Sequence, residues 1–244
     1  MSEAPEISRI FSALDATWPA QARHNIGAFH LREGRGGGSR VSAATLAGPW
    51  QAGDLCDAKM AMRAMGQSPL FMIRPGEDAL DLDLDGRGYK LMDPTDLWIC
   101  DIGVFGDCKL PPVTAFAIWE PLAIMHELWE EDGIGPARRA VMDRCAVTKT
   151  GLLGRVSDKP CGVGFAAIHD EIAMVHALSV RQAHRRKGLG AWMMRCAAFW
   201  AREHGARWLA LAATRANGPA GALYSGLRMY RVGQYHYRVL DDRP

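Results

Sequence analysis

Side chains able to do chemistry cluster in the second half of this 244-residue sequence. Arg185-Arg186-Lys187-Gly188-Leu189-Gly190 sets three cations beside two glycines, a composition that lets a phosphate approach the backbone and meet positive charge there. Farther on, Asn217 and Tyr224 stand seven residues apart, so on a helix they face one side. His176, with an imidazole that ordinarily titrates near neutrality, lies nine residues before Arg185. These residue types allow anion binding, proton donation by a phenol and proton exchange by an imidazole.

The flanking segments predict the elements that position them. Ile172 to Val180 is a mostly apolar run of strand length, as expected for a strand buried on both faces. Leu189, Trp192, Met193, Cys196, Ala197 and Trp200 recur at helical spacing, with Arg195, Arg202 and Glu203 on the other face and Gly205 placed to end the helix. The order is strand, glycine loop, helix. The first turn of such a helix has unpaired N–H groups and the positive end of the macrodipole, so it attracts a phosphate oxygen. By itself the loop also fits a plain basic turn. It fails the P-loop pattern, because Ala191 and Trp192 follow Gly190 where Lys and Ser or Thr are needed. It fails the dinucleotide fingerprint as well, because the third glycine position is Met193.

Arg185-Arg-Lys-Gly188-Leu-Gly190 does match the R/Q-x-x-G-x-G/A pattern and resembles the GNAT superfamily of N-acetyltransferases. Two further segments share the resemblance: Leu178-Ser179-Val180 at the end of the preceding strand, and Asn217-Gly-Pro-Ala220-Gly-Ala-Leu223-Tyr224, similar to N-x-x-A-x-x-L-Y. Tyr230 to Val239 is similar to the family's terminal strands, and the resemblance covers roughly residues 113 to 240. It implies an α/β GNAT fold with a mixed central sheet flanked by helices. It further implies acetyl-coenzyme A as co-substrate, with its pyrophosphate on Arg185, Arg186, Lys187, Gly188, Leu189 and Gly190 and its pantetheine arm on Leu178, Ser179, Val180 and Asn217. Tyr224 would be the general acid for the departing thiolate. His176 would be the general base, since Val175-His-Ala-Leu-Ser-Val180 is similar to the strand of the arylalkylamine acetyltransferases, whose second histidine would fall at Met174. A backbone N–H near Leu178 or Ser179 would hold the oxyanion, and transfer would be direct, in a ternary complex. The plainer readings are a core tyrosine at 224, a helix cap at Asn217 and a satisfied core histidine at 176. The chain departs from the family after Tyr224, reading Ser225-Gly-Leu-Arg228-Met229 where a Gly-Phe pair is usual, so that helix must be capped differently.

Composition narrows the class. With 48% hydrophobic and 23% charged residues the chain is ordinary for a globular protein, and a net charge of +2 gives no global field for nucleic acid or membrane. No basic-then-apolar leader opens it and no apolar run reaches spanning length, so a cytoplasmic protein is expected. Six cysteines without a CxxC pair predict a reduced, structural set and no metal. Asp81-Leu-Asp83-Leu-Asp85-Gly86 imitates a calcium loop, but its twelfth position is Met92 where a Glu is required. A short helix or turn with buried leucines and solvated aspartates is expected there.

Residues 1–105 predict a helix at Glu6 to Ala16 and a hairpin of Gly27 to Glu33 and Ser39 to Leu46 around the turn Gly34 to Gly38. A helix at Asp54 to Met65, the strand Pro69 to Ile73, a helix at Glu77 to Leu84, and strand-like runs near Tyr89 and at Leu97 to Ile102 follow. Helix, glycine, strand, helix, strand repeats the order after Gly205. The expected organisation is a degenerate GNAT-like or accessory half over 1–105, a linker over 106–112 and a catalytic domain over 113–244, as in tandem members of that superfamily. The first half has no R-x-x-G-x-G and no Asn and Tyr at the spacing of Asn217 and Tyr224, so one active site per chain is expected. The acceptor would be a primary amine of a small molecule, peptide or protein, and the chain a monomer or homodimer. The competing readings are an acyl-coenzyme-A-sensing module without turnover, which has no need of Tyr224, and an RNA-binding domain, disfavoured because no aromatic interleaves the basic run.

Overall fold

Helix α1 (Ile7–Thr17) precedes strands β1 (Ala22–Ile26), β2 (Phe29–Glu33) and β3 (Thr45–Leu46) in the computed structural model, which describes residues 3–106 and 108–240. Then come α2 (Ala52–Ala64), β4 (Leu70–Ile73), α3 (Asp78–Gly86), β5 (Lys90–Asp101), β6 (Ala115–Ile118), α4 (Ala123–Glu131) and α5 (Pro136–Arg144). The chain closes with β7 (Lys149–Val156), β8 (Lys159–His169), β9 (Ile172–Val180), α6 (Leu189–Glu203), β10 (Trp208–Thr214), α7 (Gly218–Gly226) and β11 (Tyr230–Val239). Of the segment expected as a linker, Asp107 lies outside the described residues.

The chain forms two compact units, neither continuous in sequence. One comprises residues 1–18, 97–213 and 217–232, the other 19–96, 214–216 and 233–244. Strands β5 and β11 run through both. The two strand-like runs expected near Tyr89 and Leu97 are therefore one strand, because Pro94, the interruption between them, is tolerated within β5.

In the first unit the strand order runs β5-β10-β9-β8-β7-β6. The β9–β10 pairing is parallel, while β8–β9, β7–β8 and β6–β7 are antiparallel, so the sheet is mixed. Helix α6 lays Leu189, Met193, Cys196, Ala197 and Trp200 into the core as its periodicity predicts, joined by Ala201, while Trp192 from the same expected face is only half-buried. Burying a side chain the size of Leu or Met contributes roughly 1.5–3 kcal/mol. Gly154 and Gly162 set the helix close to the sheet, since a Cβ at either would stand 2.6 or 2.5 Å from the Met193 sulfur. That contact anchors the first turn of α6 over the strands.

In the second unit, β1, β2 and β3 form a three-stranded antiparallel sheet, and β11 pairs antiparallel with β4. Phe29, Phe71, Tyr89, Leu80, Leu84 and Met62 make its core. The hairpin differs from expectation: the tight turn is at Gly27, with φ of 51°, and joins β1 to β2, while Gly34 to Gly38 leads into a short 3-10 turn before β3. The Asp81 to Gly86 segment is helical, as expected for a non-calcium reading, but Leu82 is exposed and the aspartates are engaged. Buried Arg238 donates from Nε to Asp81 at 2.6 Å, from Nη1 to the Tyr89 carbonyl at 3.1 Å, and to Asp85; His236 Nε2 is 2.8 Å from Asp81.

This network has a pH signature. The Arg238 hydrogen bond first, and His236 after it, hold the Asp81 carboxyl below its ordinary value against the effect of burial. With the folded pKa depressed, the unfolded chain binds the proton more readily, so this stability is present above about pH 4 and lost as pH falls below it. The urea midpoint should fall with pH in that window, and Asp81→Asn should flatten the dependence. An undiminished slope in the variant would assign the acid sensitivity elsewhere.

Candidate active site

Where the β9–β10 pairing stops, a cleft opens. The paired residues run from Trp208 opposite Ile172 to Leu211 opposite Val175, although both strands continue. On its other edge β9 pairs Ser179 with Val163 and His176 with Phe165, so Ala177 and Leu178 together oppose Gly164. This is a β-bulge, and Ala177 sits in it at φ of 50°, a conformation unusual for a side-chain-bearing residue. Past the bulge, Leu178, Ser179 and Val180 line a cleft of about 810 Å³.

The rest of the wall comes from the basic loop and from α7. Gly188 takes φ of 80° as the N-cap of α6, and no side chain caps the first turn, so the N–H groups there are left for a ligand. Leu189 and Gly190 line the cleft with it. A Cβ at Gly190 would stand 3.2 Å from Leu223 Cδ2, so the cradle lies close against α7 at a position without a side chain. Arg186 lines the cleft, as does Arg185, whose Nε donates to the Val180 carbonyl at 2.8 Å and whose Nη2 lies 3.7 Å from Asp132. Lys187 is exposed and is not among the cleft residues. His184 Nδ1 is buried at the rim without a hydrogen-bond partner, a polar atom for a ligand to satisfy.

Asn217 and Tyr224 both reach the cleft from α7. Asn217 Oδ1 accepts the Ala220 N–H at 3.3 Å and so caps the helix, while the residue also lines the cavity. Tyr224 is 8% exposed, its ring 5.9 Å from that of Trp98, and burial pushes its phenol up to about 12. The displaced family glycine has a local substitute: Arg228 takes the left-handed conformation at φ of 61° and ends α7 with Met229 N–H donating to the Tyr224 carbonyl.

His176 lies apart from this wall. It is 5% exposed, its ring centroid is 5.0 Å from that of Trp18, and Nε2 is 2.9 Å from Thr17 Oγ1. Thr17 Oγ1 also lies 2.6 Å from the Ala13 carbonyl, to which only its hydroxyl hydrogen can be donated. The imidazole is therefore the donor to Thr17, and the proton sits on Nε2. Trp129 on α4 is fully buried, with its indole N–H donating to the Ala177 carbonyl at 3.1 Å.

The sequence missed the bulge, because no residue type there demands it, and missed Asp132 and Leu223 in the wall. Leu223 was accessible in principle, since it precedes Tyr224 on the same helix. Asp132 is brought to the cleft only by the packing of α4, which no local spacing reports.

A mixed sheet that splays beside a glycine-bearing helix start without a side-chain cap, with a buried tyrosine lining the same cleft, is the arrangement that the resemblance to the N-acetyltransferases implies. The comparisons with known proteins agree. Residues 122–227 match the model of the Acetyltransferase (GNAT) family. The chain is 23% identical over 243 residues to an uncharacterised N-acetyltransferase, YobR, of Bacillus subtilis (strain 168), covering 96% of this chain and 98% of that protein. Among solved structures it is similar to a GCN5-related N-acetyltransferase from Kribbella flavida, with a TM-score of 0.67 and 18% identity over 97% of this chain and 96% of that one. It is also similar to a tandem GNAT protein from the clavulanic acid biosynthesis pathway, with a TM-score of 0.58 and 12% identity over 83% and 76% of the two chains. The match over residues 122–227 and the similarity to these N-acetyltransferases support an acyltransferase of GNAT fold, and that similarity implies an acyl-coenzyme A co-substrate and an acceptor. Among the described residues no helix is long and apolar enough to cross a membrane, and no group of three or more His, Cys, Asp or Glu residues is placed to hold a metal.

Proposed function

We propose that the protein transfers acetyl from acetyl-coenzyme A directly to a primary amine of a small molecule, peptide or protein, in a ternary complex. The observation that carries this is the single cleft joining the first turn of α6, the β9 segment beyond the bulge and Tyr224. When bound, the thioester supplies an activated acetyl group. The first-turn N–H groups of α6, Arg186 and the Arg185 side chain would hold its pyrophosphate, and His184 Nδ1 gains a partner there. Leu178 to Val180 offer main-chain groups to the pantetheine arm, and the Asn217 amide lies across from them. In the overall exchange the amine loses a proton and the sulfur gains one. Tyr224 is the group placed to deliver it: its raised pKa keeps the phenol loaded across the physiological range, so the transfer depends on position more than on acidity.

No covalent acyl-enzyme is invoked. Burial holds the Cys100 thiol up to about 12 and that of Cys196 up to about 11, and no cysteine lines the cleft. Retention of Tyr224 in the same cleft favours turnover over the alternative of a non-catalytic acyl-coenzyme-A sensor. A screen of amines, amino acids and peptides for thiol release from acetyl-coenzyme A tests the function. Tight cofactor binding with no release against any acceptor would favour the sensor.

For the base, the expectation at His176 can be tested directly. With Nε2 donating to Thr17, we propose that His176 joins α1 to β9 and takes no part in proton removal. His176→Gln should lower thermal stability and keep the parental pH–rate profile; loss of an acidic limb near pH 6–7 would restore the histidine as base.

We further propose that residues 19–96 derive from a degenerate GNAT-like half. Helix α2 ends at Gly66 (φ of 71°) with Gln67 N–H bonded to the Met62 carbonyl, as α6 ends at Gly205 (φ of 84°) with Ala206 N–H bonded to Ala201. Both α3 and α7 then span nine residues, and Tyr89 N–H meets the Leu84 carbonyl as Met229 N–H meets that of Tyr224. Leu84 thus stands where the second half has Tyr224, which supports one active site per chain. A cytoplasmic setting fits cysteines that are all free.

A further inference from the structure

We infer that Trp129 is a positioning residue for the cofactor strand: its indole N–H keeps the bulge at Ala177 in shape, so that Leu178 to Val180 turn their main chain to the cleft. The inference rests on the proposed binding of coenzyme A in that cleft. A left-handed backbone at a residue other than glycine is costly and persists only where its surroundings impose it. Ala177 at φ of 50° is such a residue, and two consecutive residues there oppose one on β8. The bulge turns the Ala177 carbonyl out of the ladder and towards α4, where the fully buried Trp129 donates to it at 3.1 Å.

The same short stretch of chain grips the strand beyond the bulge. Glu131 accepts two hydrogen bonds from Arg181, at 2.7 and 2.5 Å, and Asp132 lies 3.7 Å from Arg185. The Glu131 and Asp132 pairs are solvent-exposed and individually weak. Trp129 differs because its partner is a main-chain carbonyl beside a buried ring, where an unmade hydrogen bond is expensive. If the indole only filled core volume, Phe would serve nearly as well. If it holds the bulge, losing the N–H lets β9 relax towards a regular strand and withdraws the pantetheine contacts, while the phosphate cradle on α6 stays as it is.

Calorimetry on the intact chain with two probes separates these cases: coenzyme A, and 3′-phosphoadenosine 5′-diphosphate, which has its phosphates but no pantetheine. Trp129→Phe should raise the Kd of coenzyme A about tenfold and leave that of the nucleotide within about twofold. Ala177→Gly added to Trp129→Phe should restore most of the coenzyme A affinity, because glycine adopts the left-handed conformation without help. Ala177→Val, with Trp129 intact, should reproduce the selective loss, because a β-branched residue opposes that conformation. Equal weakening of both probes, parental coenzyme A affinity in Trp129→Phe or Ala177→Val, or no recovery in the double variant would each overturn the inference. Failure of the parent chain itself to bind coenzyme A would instead remove the cofactor reading on which it stands.

Discussion

Gly190→Asp is expected to weaken acetyl-coenzyme A binding by about 100-fold. The position lies in the first turn of α6 and in the wall of the cleft, where the N–H groups are unpaired and the macrodipole is positive. A carboxylate there sets one negative charge against another within a few ångströms of where a pyrophosphate would sit, and at an effective dielectric near 20 such contacts cost about 3–4 kcal/mol before screening. It also occupies a cradle that closes onto Leu223. Gly190→Ala separates the two effects. Its added methyl meets only the far end of a leucine at 3.2 Å, so its loss should be less than about tenfold. The Asp variant should regain part of its affinity as salt is added, since the repulsion is screened over a Debye length of about 10 Å at 0.1 M. Isothermal titration at two salt concentrations gives both readings. Equal losses for Ala and Asp, without salt dependence, would reduce the cradle to a matter of shape.

Tyr224→Phe is expected to lower turnover by about 100-fold or more while changing acetyl-coenzyme A affinity by less than about threefold. The ring packs against Trp98 and is largely buried, and phenylalanine keeps that packing, so the variant removes little beyond the hydroxyl. The pH dependence gives a second check. Burial raises the phenol to about 12, so the protonated acid persists until the pH approaches that value and is lost above it. No alkaline limb from Tyr224 should appear in the working range, and a limb seen at lower pH belongs to another group. A Phe variant with parental turnover would remove the acid role from Tyr224 and assign proton delivery to another group.

Much of this site was legible along the chain because its parts are local. The strand Ile172 to Val180 has the bounds its apolar run predicts, Tyr230 to Val239 forms a strand as the resemblance implies, and α6 begins beside Gly188 and ends before Gly205. Asn217 and Tyr224 face one cleft because seven residues make two helical turns. The first half was harder to read. Its hairpin shifted to Gly27 because the Gly34 to Gly38 cluster, rich in turn formers, suits a loop as well as a tight turn. The one strand that spans Lys90 to Asp101 looked like two, because Pro94 interrupts a pattern that pairing tolerates.

The sequence by itself determined the loop, its helix and the phenol two turns into α7, since spacing, glycine and charge are properties of neighbouring residues. Only the tertiary structure decided what those pieces face. The bulge at Ala177 arises from pairing with β8 and is met by a tryptophan 48 residues away. His176 is buried because α1 brings Thr17 and Trp18 onto it, 159 residues distant for the threonine. Strand β11 ends beside β4 because a sheet edge accepts any strand of suitable register, whatever its place in the chain. Such contacts depend on which surfaces meet after folding, and no window of sequence contains both partners.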